Sequence, residues 1–88
     1  MDTKQAIDEG RLIEAWIEEN PYKRPVADAW LKEYGVAVWA LIAHLQILGD
    51  VAEVAAAYAV PLEAVQAAIA YYERNKPPID ARIKMNAA

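Results

Sequence analysis

The chain has 88 residues, a net charge of −4, a hydrophobic fraction of 57% and no cysteine. Its length allows one domain, and its hydrophobic content excludes a disordered chain. Without cysteine, disulfides, thiolate zinc sites and a thiol nucleophile are excluded as well. We expect a single domain over residues 1–88, with an N-terminal arm (1–25) and a C-terminal tail (75–88).

The sequence predicts a cytoplasmic protein that does not contact a membrane. Its longest apolar segment, residues 35–49, contains a histidine and a glutamine. This segment is shorter than the roughly 20 apolar residues that cross a bilayer. The first ten residues, MDTKQAIDEG, are acidic, whereas a signal peptide begins with a basic region.

Two segments in the first half of the chain allow both helix and strand. A helix is predicted from residue 3 to about residue 18, but residues 12–18 are also rich in the β-branched and aromatic residues of strands. After a proline-containing loop, residues 26–38 can form two short strands around a turn at Gly35. Alternatively, residues 26–33 form a short helix that ends at this glycine.

A helix over residues 38–48 is predicted from the spacing of five apolar residues along one stripe. These residues are Val38, Leu41, Ile42, Leu45 and Leu48. The opposite side is also largely apolar, so the helix must be covered on two sides. In so short a chain, the second side needs the N-terminal segment or another subunit. We therefore predict a dimer, with an interface that includes Trp39, Ala43 and Ile47.

The next two helices have the pattern of a helix-turn-helix. Gly49 ends the preceding helix, Asp50 caps a helix over residues 51–59, and Pro61 begins a third helix. The inward stripe of that third helix is Leu62, Val65, Ala68, Ile69 and Tyr72. An alanine-rich hairpin that never meets DNA fits the same pattern. The expected fold is mainly α, with a helix-turn-helix in a three-helix core and, on the strand interpretation, a short N-terminal β-hairpin.

The charge distribution is unusual for a DNA-binding unit, because no lysine or arginine lies between Lys32 and Arg74. Contacts to phosphate supply most non-specific affinity for DNA, so the cations must come from the flanks. Glutamine can read an adenine edge and glutamate can accept from cytosine. The candidate DNA-binding residues are Lys23, Arg24, Glu63, Gln66, Arg74 and Lys76.

Two stretches, YGVAVWALIAHLQ and DVAEVAAAYAVPLEAVQAAIAYYERNKPPIDARI, resemble the bacterial and archaeal family called domain of unknown function 433. The resemblance implies a small antitoxin-like helix-turn-helix protein that neutralises a toxin similar to PIN-domain nucleases, with operator DNA as a second candidate partner. The chain departs from the family pattern in one triplet, where Gly35 stands at the position of an arginine. The alternative is a dimeric interaction scaffold that does not bind DNA.

The C-terminal segment from Tyr71 to Met85, which includes most of the tail, is the predicted partner-binding element. Its prolines set it at an angle to the third helix, and its basic groups could pair with the active-site carboxylates of a metal-dependent nuclease. The candidate residues are Tyr71, Ile79, Arg82, Ile83 and Lys84. Alternatively, the two isoleucines fold back onto the protein's own core or onto the dimer mate.

The sequence does not predict an enzyme, a cofactor or a metal site. His44 is the only histidine and the chain has no serine, so no Ser-His-Asp arrangement can form. A zinc site would need further histidine or cysteine ligands. His44 is therefore interpreted as a structural residue on an apolar helix.

Overall fold

The computed structural model describes residues 3–23 and 25–87. Within them the chain forms five α-helices, a two-stranded antiparallel sheet and one 3₁₀ turn. The helices are α1 (Thr3–Trp16), α2 (Val38–Leu48), α3 (Val51–Tyr58), α4 (Leu62–Arg74) and α5 (Lys76–Ala87). The strands are β1 (Ile17–Glu18) and β2 (Trp30–Leu31), and the 3₁₀ turn is Val26–Asp28. The prediction of a mainly helical fold with a small hairpin is confirmed.

The sheet joins the two segments for which the sequence left helix and strand open. β1 follows α1 directly, with Ile17 opposite Leu31 and Glu18 opposite Trp30. The predicted return strand after Gly35 is reduced to a single bridge between Trp30 and Ala37. Because α2 already begins at residue 38, too few residues remain there for a strand. The expected hairpin therefore exists, but its main partner strand lies at the end of the N-terminal helix.

The core is centred on α4, which packs against α1, α2 and α3. The buried face of α4 is mostly alanine and includes Ala64, Ala67, Ala68 and Ala70. Such small side chains let neighbouring helices approach closely, while the larger buried side chains come from the surrounding elements. These are Leu31, Val38, Leu41, Val54 and Ile79.

Local signals define the helix-turn-helix unit, α3 and α4. The carboxylate of Asp50 accepts hydrogen bonds from the amides of Ala52 (2.8 Å) and Glu53 (3.1 Å), as expected of an N-cap. Ala59 ends α3 in the left-handed conformation, with φ 56°. The two helices bend by 114° across residues 59–61, within the 90–120° range and three-to-four-residue turn of this motif.

The inward stripe of α4 differs from the predicted one at its start. Pro61 is the N-cap rather than the first helical residue, and Leu62 is exposed rather than inward. Leu62 lies in the first turn, where the chain enters α4 from the surface. Val65 and Ala68 are buried as predicted.

The C-terminal tail is a complete helix docked on the domain. Pro77 and Pro78 occupy the first turn of α5, where a missing amide hydrogen costs little. Ile79 is fully buried, and the guanidinium of Arg82 donates to both oxygens of the buried Asp28. The hydroxyl of Tyr72 donates to Asp80 at 2.7 Å. Of the two alternatives for Ile79, the protein's own core is correct.

Within the described residues, no single helix is both long enough and apolar enough to cross a membrane; α3 and α4 meet that criterion only together, across their bend.

Candidate binding surfaces

The outward side of the helix-turn-helix unit is acidic. The exposed charged residues of α3 and α4, with the cap before them, are Asp50, Glu53, Glu63, Glu73 and Arg74; the four carboxylates are here called the acidic surface. Gln66, the predicted base-reading residue, is exposed on the same helix as Glu63. No lysine or arginine lies between residues 33 and 73, and of these four carboxylates Glu73 is paired with Lys76. A phosphate backbone approaching the first turn of α4 would meet negative charge first.

The cations assigned to phosphate contacts lie away from this surface or beside carboxylates. Arg74 Nη2 lies 3.8 Å from Glu9 Oε1, and Lys76 Nζ lies 3.4 Å from Glu73 Oε1. Arg74 is eight residues beyond Gln66, about 12 Å along the helix axis at 1.5 Å per residue. Lys23 is exposed in the loop after β1. The predicted contact at Arg24 lies outside the described residues.

A groove between α2 and α5 is the second candidate surface. It has a volume of about 360 Å³ and is lined by Trp39, Ala43, Gln46, Ile47, Ile83 and Asn86. All three predicted dimer-interface residues line it, together with Ile83 from the predicted partner-binding set. None of the six lining residues is charged. We call this surface the α2–α5 groove.

The sequence analysis missed Gln46 and Asn86 as members of this groove. Each follows an assigned groove residue by one helical turn, Gln46 after Ala43 and Asn86 after Ile83. This i, i+3 spacing places them on the same helix faces. The signal was therefore present in the sequence, but it required knowing that α2 and α5 are neighbours.

The predicted partner-binding residues of the C-terminal segment, from Tyr71 onward, divide into two groups. Ile79 and Arg82 face the protein's own interior, through burial and through the ion pair with Asp28. Tyr71 is half-buried, and its hydroxyl donates to the carbonyl of Val26 at 3.3 Å. Burial, and then the charge of Glu19, raise the pKa of Tyr71.

The remaining two tail residues are accessible from outside. Lys84 is exposed, and Ile83 lines the groove while also packing against the core. The neighbouring Met85 is 72% exposed. The last two turns of the tail are therefore the more accessible part, whereas its first two turns are held against the domain.

His44 links α2 to α3. Its Nδ1 forms a hydrogen bond of 2.6 Å with the hydroxyl of Tyr58, and the two rings meet edge to face with centroids 5.2 Å apart. Burial raises the pKa of the Tyr58 hydroxyl. In the part of the chain that is described, no three histidine, cysteine, aspartate or glutamate residues are grouped so that they could hold a metal ion.

Comparison with known proteins finds no matching family model, no matching curated protein and no matching solved structure.

Proposed function

We propose that this chain is an antitoxin-like regulatory binding protein that neutralises a PIN-like nuclease toxin. The observation that supports the proposal most is the acidic surface of a helix-turn-helix unit. This surface carries exposed carboxylates at Asp50, Glu53, Glu63 and Glu73. Among the described residues, the cations near it are Arg74, at the end of α4, and Lys76, at the start of α5, and each lies beside a glutamate. The resemblance to domain of unknown function 433 supports the antitoxin class and the choice of nuclease.

A nuclease is a suitable partner for an acidic surface because it must bind the phosphates of its substrate. Phosphate binding requires a positively charged surface. Carboxylates presented on a folded domain are attracted to the same surface, which speeds encounter and favours this orientation. Covering that surface excludes the nucleic acid. The protein therefore inhibits the nuclease by competing with its substrate.

This route replaces the one expected from the tail, in which basic groups reach the active-site carboxylates of the nuclease. Arg82 is occupied by both oxygens of Asp28 and its side chain is only 24% exposed. Withdrawing it would leave Asp28 buried and unpaired, which is costly. Lys84 is the exposed cation of the last two turns, and one exposed charge contributes little.

Operator DNA is the second candidate partner in this proposal. In a helix-turn-helix that reads DNA, the second helix enters the major groove and cations beside it contact phosphates. Here the exposed residues of α4 that would enter the major groove include Glu63 and Gln66. The exposed Lys23, which could contact phosphate, lies on a different segment. We expect any binding to DNA to be weak and to fall steeply with salt.

The test is inhibition of a purified PIN-domain nuclease, measured as cleavage of a fluorescent RNA, and a nuclease of this class is first sought among the products of the adjacent genes. The wild-type chain should inhibit in a salt-dependent way. The variant Glu53→Gln/Glu63→Gln should inhibit about tenfold less well, if each contact contributes about 0.7 kcal/mol, within the range of exposed ion pairs. The matched control Asp8→Asn/Glu14→Gln neutralises two exposed carboxylates of α1. Both pairs change the net charge from −4 to −2.

A second arm measures DNA binding by fluorescence anisotropy on the DNA upstream of the gene. The double variant Glu63→Lys/Gln66→Lys should gain affinity that falls with salt, because it adds cations to the exposed side of α4. Tight, sequence-specific binding by the wild-type chain, without inhibition of the nuclease, would overturn the proposed function. Equal inhibition by Glu53→Gln/Glu63→Gln and by the α1 control would show that the acidic surface does not bind the nuclease.

A further inference from the structure

We propose that two copies of this chain associate through the α2–α5 groove, with Ile47 of each copy inserted into the groove of the other. This inference goes beyond the proposed function, because it concerns self-association and uses helices other than those of the acidic surface.

The first argument is one of shape. A two-fold interface uses the same patch on both copies, so the patch must contain both a projection and a matching recess. Ile47 is the projection, since 78% of it is exposed on a folded helix. The recess is the groove beside it, with about 360 Å³ between Trp39, Ala43 and Ile83. This volume is about that of twelve water molecules in the liquid, so the groove can hold a branched aliphatic side chain.

The second argument is one of charge. Each copy carries a net charge of −4, so two copies repel each other unless they meet where carboxylates are absent. The six residues that line the groove are all uncharged. Most other surfaces of the described chain include exposed glutamate or aspartate, as α1, α3 and α4 do. The groove is therefore the surface on which a second acidic copy is best tolerated.

The polar groups at the groove are also self-complementary. Gln46 and Asn86 are amides, and an amide both donates and accepts hydrogen bonds. Asn86 already donates one hydrogen from Nδ2 to the carbonyl of Arg82, at 2.9 Å. Its oxygen and its second amide hydrogen remain for the same groups of a second copy. The six lining residues carry no charged group, and the indole N–H of Trp39 is the one donor-only group among them.

The small size of the surface indicates that the dimer is weak. α2 has 11 residues and α5 has 12, so at 1.5 Å per residue each is about 17 Å long. Two helices packed 8–10 Å apart form a face about 20 Å wide, with a flat footprint of about 340 Å². Standard interfaces bury about 800 Å² on each partner. We therefore expect a weak dimer with a micromolar dissociation constant, centred on Ile47.

Sedimentation equilibrium on the full chain tests the inference, at concentrations from about 5 to about 500 µM, around a micromolar dissociation constant. The mass should rise from 9.8 kDa toward twice that value. Ile47→Glu should weaken the dimer at least tenfold while circular dichroism stays unchanged, because the residue is mostly exposed. The matched control is Leu62→Glu, which adds the same charge at a different exposed aliphatic residue, at the start of α4.

Cross-linking locates the interface independently. The natural chain has no cysteine, so a mixture of Ala43→Cys and Ile47→Cys variants can form disulfides only through the introduced residues. A mixed dimer should appear on mild oxidation, because Ala43 lines the recess that receives Ile47. The control mixture of Ile47→Cys with Leu62→Cys should not form it.

A 9.8 kDa monomer at every concentration would overturn the inference, as would a dimer that survives Ile47→Glu. A monomer that still inhibits the nuclease would overturn the dimer and leave the proposed function standing. A dimer that disappears in Ile47→Glu, without inhibition of any nuclease, would support the dimer and count only against the proposed function.

Discussion

Replacing Arg82 with alanine should destabilise the whole domain, although the residue lies in its last helix. Arg82 Nη2 donates to Asp28 Oδ2 at 3.0 Å, and Nη1 donates to Oδ1. Asp28 is only 5% exposed, so Arg82→Ala leaves a carboxylate buried without its charge partner. The pair connects α5 to the 3₁₀ turn before β2, and its loss should loosen the docking of the tail.

The magnitude follows from burial. Breaking a buried ion pair by removing one partner costs about 3–5 kcal/mol. Because 24% of the Arg82 side chain is exposed, water can reach part of the site, and we lower the expected cost to about 2–4 kcal/mol. A domain of 88 residues has a total stability of about 4–13 kcal/mol. The variant should therefore lose a large share of its free energy of unfolding.

Urea unfolding followed by far-ultraviolet circular dichroism measures this loss, at one fixed protein concentration because dimerisation adds to apparent stability. A double-mutant cycle with Asp28→Ala should give a coupling of about 1–3 kcal/mol. Arg82→Lys should fall between the wild type and alanine, since lysine keeps the charge but not the two parallel hydrogen bonds. A loss below about 0.5 kcal/mol for Arg82→Ala, or strictly additive effects, would refute the reasoning.

Three further substitutions test the helix ends and the tyrosine in α4. Asp50→Ala should cost about 1 kcal/mol of unfolding free energy by thermal or urea denaturation, because the cap accepts from two amides; no change would contradict the cap. Ala59→Gly should add about 0.5–1 kcal/mol, because glycine relieves the left-handed φ of 56° at a smaller entropic cost; a loss would contradict this. The hydrogen bond to Asp80, with burial, raises the pKa of Tyr72 above 10.0. Its contribution to stability should therefore be full below pH 10 and decline as the pH rises further, and Tyr72→Phe should reduce this decline in urea titrations.

The sequence predicts those features that depend on neighbouring residues. The limits of α2, Val38 and Leu48, agree with the apolar spacing alone. Gly49 and Asp50 mark the boundary between α2 and α3 because a left-handed glycine and a capping carboxylate act within one turn of the helix end. The helix-turn-helix pattern and the burial of Val54 and Val65 were predicted for the same reason.

The candidate surfaces could be predicted only in part. Trp39, Ala43 and Ile47 were predicted because α2 is apolar on two sides, so its second side needs cover. The other wall of the groove comes from α5, and nothing in the local sequence states that α5 lies there. The acidic character of α3 and α4 was visible in the sequence. The pairing of Lys76 with Glu73 and of Arg74 with Glu9 required the structure.

The sequence by itself determined α2, α3 and the course of α4, the cap at Asp50 and the charge of the helix-turn-helix unit, because these depend on residues within a few positions of one another. Only the tertiary structure decided which strand pairs with β2, which way Leu62 faces and what Arg82 binds. Asp28 and Arg82 are 54 residues apart in the chain, and the groove joins helices separated by α3 and α4. Such contacts depend on how the helices pack as a set, since each buried side chain is placed by all the elements around it rather than by its neighbours in sequence.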